Sequence, residues 1–156
     1  MPIQELKKYS SQVKTGQNFS AFDAGSLEDL FQYELQHPRL NRTVKGKLFL
    51  REILDLTSMQ VSLNRLPAGA AVPFIHKHKQ NEELYIFIKG NGQMQVDGET
   101  FDIKEGTVVR IAPDGGRVWR NNSSEDLYYI VIQGKDGSLS QDTFDDGIPL
   151  ETPPSW

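Results

Sequence analysis

The chain has 156 residues, 37% of them hydrophobic and 24% charged, which suits one domain with a core of its own and little left for a second. A formal net charge of -4 argues against a nucleic-acid partner, whose phosphates call for a basic surface. The absence of cysteine removes disulfides, thiolate nucleophiles and cysteine-zinc sites, so any metal must be held by His, Asp, Glu or backbone oxygen.

The opening, Met1 to Lys8, is charged and lacks the apolar stretch of a secretory leader, and no apolar run approaches the ~20 residues that span a bilayer. The expected setting is cytoplasmic, with no membrane partner. Residues 1–45 read as an arm with one short helix. Its start is Ser26-Leu27-Glu28-Asp29-Leu30-Phe31, with Ser26 as N-cap, Asp29 three residues on and an apolar face of Leu27, Leu30 and Phe31. Pro38 is the expected stop, and His37 beside it reads as a surface residue. Leu48 to Leu54 fits a short helix as well as a strand.

From Met59 the apolar period becomes two. Met59, Val61 and Leu63 alternate with Gln60, Ser62 and Asn64, whose polar face suits either a pocket lining or solvent. Strand-like runs follow at Glu83 to Lys89, Gln93 to Val96, Thr100 to Ile103, Thr107 to Ala112, Arg117 to Asn121 and Asp126 to Gln133, separated by Gly, Asn, Asp and Pro. Asp97-Gly98 is the strongest hairpin signal. Such spacing with no long helix predicts an antiparallel sandwich or barrel over residues 46–133. Residues 134–156, rich in Asp, Ser, Gly and Pro, read as a tail lying over the barrel or partly disordered, with Phe144, Ile148, Leu150 and Trp156 favouring docking.

Chemistry concentrates in Gly69 to Gly90. In an extended chain, residues two apart point the same way, so His76 and His78 enter one space while Lys77 and Lys79 face out. A glutamate on the next strand would complete two imidazoles and a carboxylate, a set that holds divalent first-row metals with positions left open. Glu83 suits this better than Glu82, because it shares a face with Tyr85 and Phe87.

This segment resembles the first motif of the cupin family: Gly69, then His76 and His78, Glu83, and Gly90 after six more residues. One extra residue separates Gly69 from His76. The second motif is recognisable from Gly106 through Pro113 to Asn121, but its histidine is absent. Counting back from Asn121 puts Arg117 in that place, and counting from Asn122 puts Val118 there. The resemblance implies an all-β cupin-type antiparallel barrel, a double-stranded jelly roll, and a divalent transition metal (Fe, Mn, Zn or Ni) on His76, His78 and Glu83. It also implies a small-molecule ligand, for which Arg117 is the candidate anchor; Tyr85 and Trp119 read as barrel-lining core or, alternatively, as walls of that ligand's pocket. A guanidinium about 5 Å from a divalent ion would cost about 7 kcal/mol at an effective dielectric near ~20. Arg117 therefore turns away from the metal, replaces it by pairing with Glu83, or shares an anion with it. The expected function is a metal-dependent enzyme acting on a small anionic metabolite, in the manner of sugar-phosphate isomerases or dioxygenases. The alternative is a non-catalytic binder anchored by Arg117. Tyr85 and Phe87 line one face of their strand, and the other carries Leu84, Ile86 and Ile88. That outer row needs cover, from the N-terminal arm, the tail or a second subunit, and a homodimer is expected.

Overall fold

The structure, a computed structural model, describes residues 7–156; the first six residues of the expected arm lie outside it. The chain enters through a 3-10 turn (Lys7–Gln12), strands β1 (Lys14–Thr15) and β2 (Ser20–Ala21), a second 3-10 turn (Leu27–Gln32) and the hairpin β3 (Glu34–His37) and β4 (Arg42–Lys45). β5 (Lys47–Phe49) leads through one helical turn (Arg51–Leu54) to β6 (Gln60–Leu66). Then come β7 (Asn81–Lys89), β8 (Asn91–Val96), β9 (Glu99–Lys104), β10 (Val108–Ile111), β11 (Arg117–Arg120) and β12 (Leu127–Lys135).

The strands from β5 onward make two sheets, both antiparallel: β10-β7-β12-β6-β5 and β11-β8-β9. Their inner faces share one apolar core. Tyr85, Phe87, Ile111, Tyr129 and Val131 from the larger sheet meet Met94, Ile103 and Trp119 from the smaller. This is the expected jelly-roll arrangement. Asp97 (φ 50°) and Gly98 (φ 86°) form the predicted hairpin turn between β8 and β9. Gly90 ends β7 at φ 95°, where a Cβ would strike the carbonyl of Asp126, so glycine is required there.

The N-terminal segment forms a second, smaller core on the outside of the larger sheet. Leu30, Tyr33 and Ile53 bury against Leu48, Leu63 and Tyr128. The expected helix is a single 3-10 turn, and it ends at Gln32 rather than at Pro38. Its Asp29 carboxylate accepts from both the backbone N–H (2.9 Å) and the hydroxyl (3.0 Å) of Ser26, so the N-terminal signal is real. Tyr33 is extended (φ -85°, ψ 129°) and carries the chain straight into β3, which leaves no room for a longer helix.

Two further expectations need correction. The ambiguous Leu48 to Leu54 run is both things: a strand through Phe49, then a helical turn closed by Asp55 in the left-handed region (φ 55°). The tail does not dock on the barrel, for Leu139, Phe144, Ile148, Leu150 and Trp156 are all at least 82% exposed. Among the described residues, no helix is long and apolar enough to cross a membrane.

Candidate metal centre

His76 and His78 lie on the extended segment between β6 and β7. Phe74, His76 and His78 are half-buried while Ile75, Lys77 and Lys79 are exposed, the alternation expected of extended chain. The segment is tied to β11 at two points, Ala71 opposite Arg120 and His76 opposite Arg117. Between those points five steps along one chain match three along the other, so the first strand carries a bulge around Pro73 and Phe74. The surplus residue between Gly69 and His76 falls in the same stretch of chain. His78 is fixed by its N–H to the Pro113 carbonyl, 3.0 Å.

Glu83 comes from β7 and is 4% exposed, with Tyr85 below it on the same face. Glu82 points the other way and pairs with Arg110 at 2.8 Å. One donor atom each from His76, His78 and Glu83 lies within 4.8 Å of the others. His78 Nε2 is 3.0 Å from Glu83 Oε1 yet makes no hydrogen bond, and His76 Nδ1 is likewise buried without a partner. Neighbouring donors around one ion with ~2.1 Å bonds sit about 3 Å apart. Two orphaned imidazole nitrogens and a carboxylate oxygen converging at that spacing fit a divalent metal, and no hydrogen-bond partner among the described residues satisfies the two nitrogens. Burial pushes His76 down to about 4, with Arg117, His78 and Lys47 adding to the effect and Glu83 opposing it. The imidazole is therefore neutral and ready to donate its lone pair at neutral pH.

The carboxylate of Glu83 is divided between two neighbourhoods. Oε1 faces His78, whereas Oε2 accepts the Tyr85 hydroxyl at 2.5 Å and lies 3.6 Å from Arg117 Nε. Burial and the adjacent carboxylate push the Tyr85 phenol well above its ordinary value, which keeps it a donor. Arg117 is fully buried, beside the Glu83 carboxylate on the Oε2 side. Its terminal nitrogens reach only long contacts, to the carbonyls of His76 (3.5 Å) and Ala112 (3.3 Å). The pairing with His76 settles the register: Arg117 points inward, while Val118 is half-buried on the opposite side of its strand. Trp119 packs edge-on against His76 and Tyr85, and its indole N–H donates to Tyr129 at 2.9 Å. Asn121 is structural. Its amide donates to the carbonyls of Leu66 (3.0 Å) and Glu125 (2.7 Å), and its oxygen accepts from Ser123.

The wall opposite β11 holds residues that sequence reasoning left undecided or missed. Ser62 and Asn64 are 3% and 2% exposed, so the polar face of β6 is the inner one, and Val61 and Leu63 face outward, Leu63 under the N-terminal layer. Lys47 on β5 stands in register with Asn64 and donates to its side-chain oxygen at 2.8 Å. Burial brings the Lys47 amine down to about 8, against the steadying charge of Glu83. His37 is not a plain surface residue. Its ring tilts against Phe74 at 5.7 Å, and Phe74 in turn meets His76 at 6.1 Å, so the β3–β4 hairpin reaches the rim of the site. Alternation around Leu48 hinted that Lys47 and Phe49 share a face, but only the pairing with β6 shows which way it looks.

Comparison with known proteins agrees with this geometry. The Cupin domain family matches residues 62–133. A crystal structure of a cupin protein from Bacteroides fragilis is 44% identical, with 67% of this chain and 89% of that one covered and a TM-score of 0.65. A sugar phosphate isomerase of the cupin superfamily from Silicibacter pomeroyi is 23% identical, covering 65% and 68% with a TM-score of 0.55, a likeness of fold alone. An uncharacterized protein of Methanocaldococcus jannaschii is 32% identical over 80 residues, 51% of this chain; the chain spans about half (53%) of that curated relative. With the two-sheet core, the paired motifs and these relatives in agreement, the chain belongs to the cupin superfamily.

Proposed function

We propose that the protein holds a divalent first-row metal on His76, His78 and Glu83 and uses it to act on a small anionic metabolite. The observation that carries the reading is the pair of buried, unpartnered imidazole nitrogens beside a carboxylate that is already oriented by Tyr85. A metal bound there would supply Lewis acidity, or oxygen activation if it is iron. The protein's own groups do the rest. Tyr85 fixes the carboxylate, Trp119 walls the histidines, and Arg117 offers terminal nitrogens whose long carbonyl contacts a ligand oxyanion would outcompete. Both sugar-phosphate isomerisation and dioxygenation remain within this proposal. A cytoplasmic setting belongs to it too, resting on the cysteine-free composition.

Elemental analysis of protein purified without chelator tests the reading. Stoichiometric Fe, Mn, Zn or Ni, lost in His76→Ala and Glu83→Ala, supports it. Failure to take up any of these ions at micromolar concentration overturns it. One observation favours a second reading, a non-catalytic small-ligand binder: the buried guanidinium of Arg117 already lies 3.6 Å from the carboxylate that a metal would need. A metal-free protein that still binds anions through Arg117 would establish that alternative.

We propose a homodimer as well. The outer face of the larger sheet carries an apolar row in register across four strands, Val108, Ile86, Ile130 and Leu63, and a second of Leu84, Ile132 and Val61. The N-terminal layer covers the Leu63 end, while Val108 is 58% exposed.

A further inference from the structure

The barrel interior is unbalanced in charge. Glu83 is the one buried acid among the described residues, and it faces Arg117 on its own side of the site. Lys47 adds a second cation from the opposite wall. It is half-buried, its Nζ lies 5.0 Å from the centre of the Phe49 ring, and Asn64 takes one of its three N–H donors. No carboxylate among the described residues comes within 4 Å of that nitrogen. An ammonium withdrawn from water without a contacting counter-charge is costly, and the only steadying charge this one has among the described residues is the more distant carboxylate of Glu83. Asn64 is itself held, its amide donating to the Ser62 hydroxyl at 2.9 Å and the Tyr129 carbonyl at 3.3 Å, so its oxygen presents the amine in one place. The lysine lies outside residues 62–133, where the family match runs, so it belongs to this chain's own elaboration of the fold.

We infer that Lys47 is a second anion anchor, and that the ligand is a small dianion with one charged end toward His76, His78 and Glu83 and the other on the Lys47 ammonium. This rests on the reading of the barrel as an anion site and narrows its substrate class. The charge count supports it: a divalent ion, Arg117 and Lys47 against Glu83 alone leave three positive charges, which a monoanion would not balance. The two free N–H donors of Lys47 suit a carboxylate or phosphate oxygen, and the Phe49 ring confines the ammonium between apolar and charged surroundings.

The experiment is calorimetric titration of the full chain, metal-free and loaded with Mn2+, using malonate, succinate, glutarate and inorganic phosphate, with acetate as the monoanion control. At least one dianion should bind wild type ten-fold or more tighter than acetate. Lys47→Met and Lys47→Gln should each bring that dianion to within about three-fold of acetate, leave acetate unchanged and leave Mn2+ affinity undiminished. The best dicarboxylate against phosphate then identifies the far group. Equal dianion affinity in wild type and both variants overturns the inference while the metal reading stands. Failure to bind Mn2+, with dianion binding that still depends on Lys47, overturns the metal reading and leaves the anchor in place. No dianion preference in wild type overturns the anchor.

Discussion

His76 and Arg117 form a hydrogen-bonded antiparallel pair, His76 N–H donating to the Arg117 carbonyl (3.1 Å) and Arg117 N–H to the His76 carbonyl (2.9 Å). Residues paired in this way put their side chains on one face, about 5.5 Å apart at Cα. Arg117 thus occupies the place from which a fourth ligand would reach the metal, and substitution there tests the electrostatics directly. Arg117→His removes a fixed charge and adds an imidazole, so metal affinity should rise at least ten-fold, about 1.4 kcal/mol. Arg117→Lys keeps the charge and should leave affinity low. Competitive titration against a chelator, on protein shown by near-ultraviolet circular dichroism to be folded, decides the matter. Unchanged affinity in Arg117→His would mean that the guanidinium exerts no field on the metal position.

Tyr85 gives a second handle. Its hydroxyl is the group that fixes Glu83, and it lies one layer below the histidines. Tyr85→Phe deletes one oxygen at a site 1% exposed and should preserve the fold. The carboxylate then loses the donor that orients it, and metal affinity should fall by about 10-fold, as for other partners that orient metal ligands. A variant with wild-type metal affinity would show that Arg117 alone positions Glu83.

Most of the barrel was legible from period and turn chemistry. All seven expected strands from Met59 to Gln133 are present, because each ends at a residue the turn physically needs, such as Asp97-Gly98 or Gly90. His76, His78 and Glu83 were legible for the same reason, since period two alone brings the histidines together. What stayed open or was missed depends on a neighbour not visible in the sequence. β6 turns its apolar face, Val61 and Leu63, outward, where the N-terminal layer covers Leu63, and this frees the polar face for the interior. Lys47 has no signal of its own in the sequence, and its place in the site follows from the pairing of β5 with β6. His37 is drawn to the rim by Phe74, a contact between segments far apart in the chain.

The pH dependence of the metal-free protein follows from His76. Its folded value is about 4 against about 6.5 in the unfolded chain. Between those limits the unfolded state binds a proton that the folded state refuses, so stability is complete above pH 6.5 and declines as pH falls toward 4. The loss should be on the order of 2 kcal/mol by the linkage relation. Thermal melts from pH 7.5 to 4.5 on wild type and His76→Asn measure it. If both lose stability in parallel, burial of this imidazole is not the cause.

Lys47 has the same sense of shift in a higher window. Its folded value is about 8 against 10.5 unfolded, so the unfolded chain holds the extra proton between them and stability rises with pH over that range. Lys47→Met should melt several degrees above wild type at pH 7, where the amine is charged, and the gap should close as pH approaches 10.5. A variant less stable than wild type at pH 7 would show that the bond to Asn64 outweighs the cost of burying the charge.

The last prediction concerns assembly. A sheet face exposed to water ordinarily alternates with polar residues, yet the outer row of β7 reads Leu84, Ile86, Ile88 and pairs with Ile130 and Ile132. The tail, with its apolar side chains exposed, does not cover that face, and among the described residues the N-terminal layer packs at its far side, around Leu63. A second copy meeting the row through a two-fold axis would match like with like and cover it on both chains at once. Light scattering at about 10 μM, a concentration at which an interface of ordinary size (about 800 Å² per partner) commonly persists, should give twice the 17.7 kDa of one chain. Val108→Lys places a charge at an exposed point of the row, where folding tolerates it, and should shift the population toward monomer without altering the far-ultraviolet spectrum. A mass of 17.7 kDa for wild type, or a dimer indifferent to Val108→Lys and Ile86→Lys together, would place the contact elsewhere or remove it.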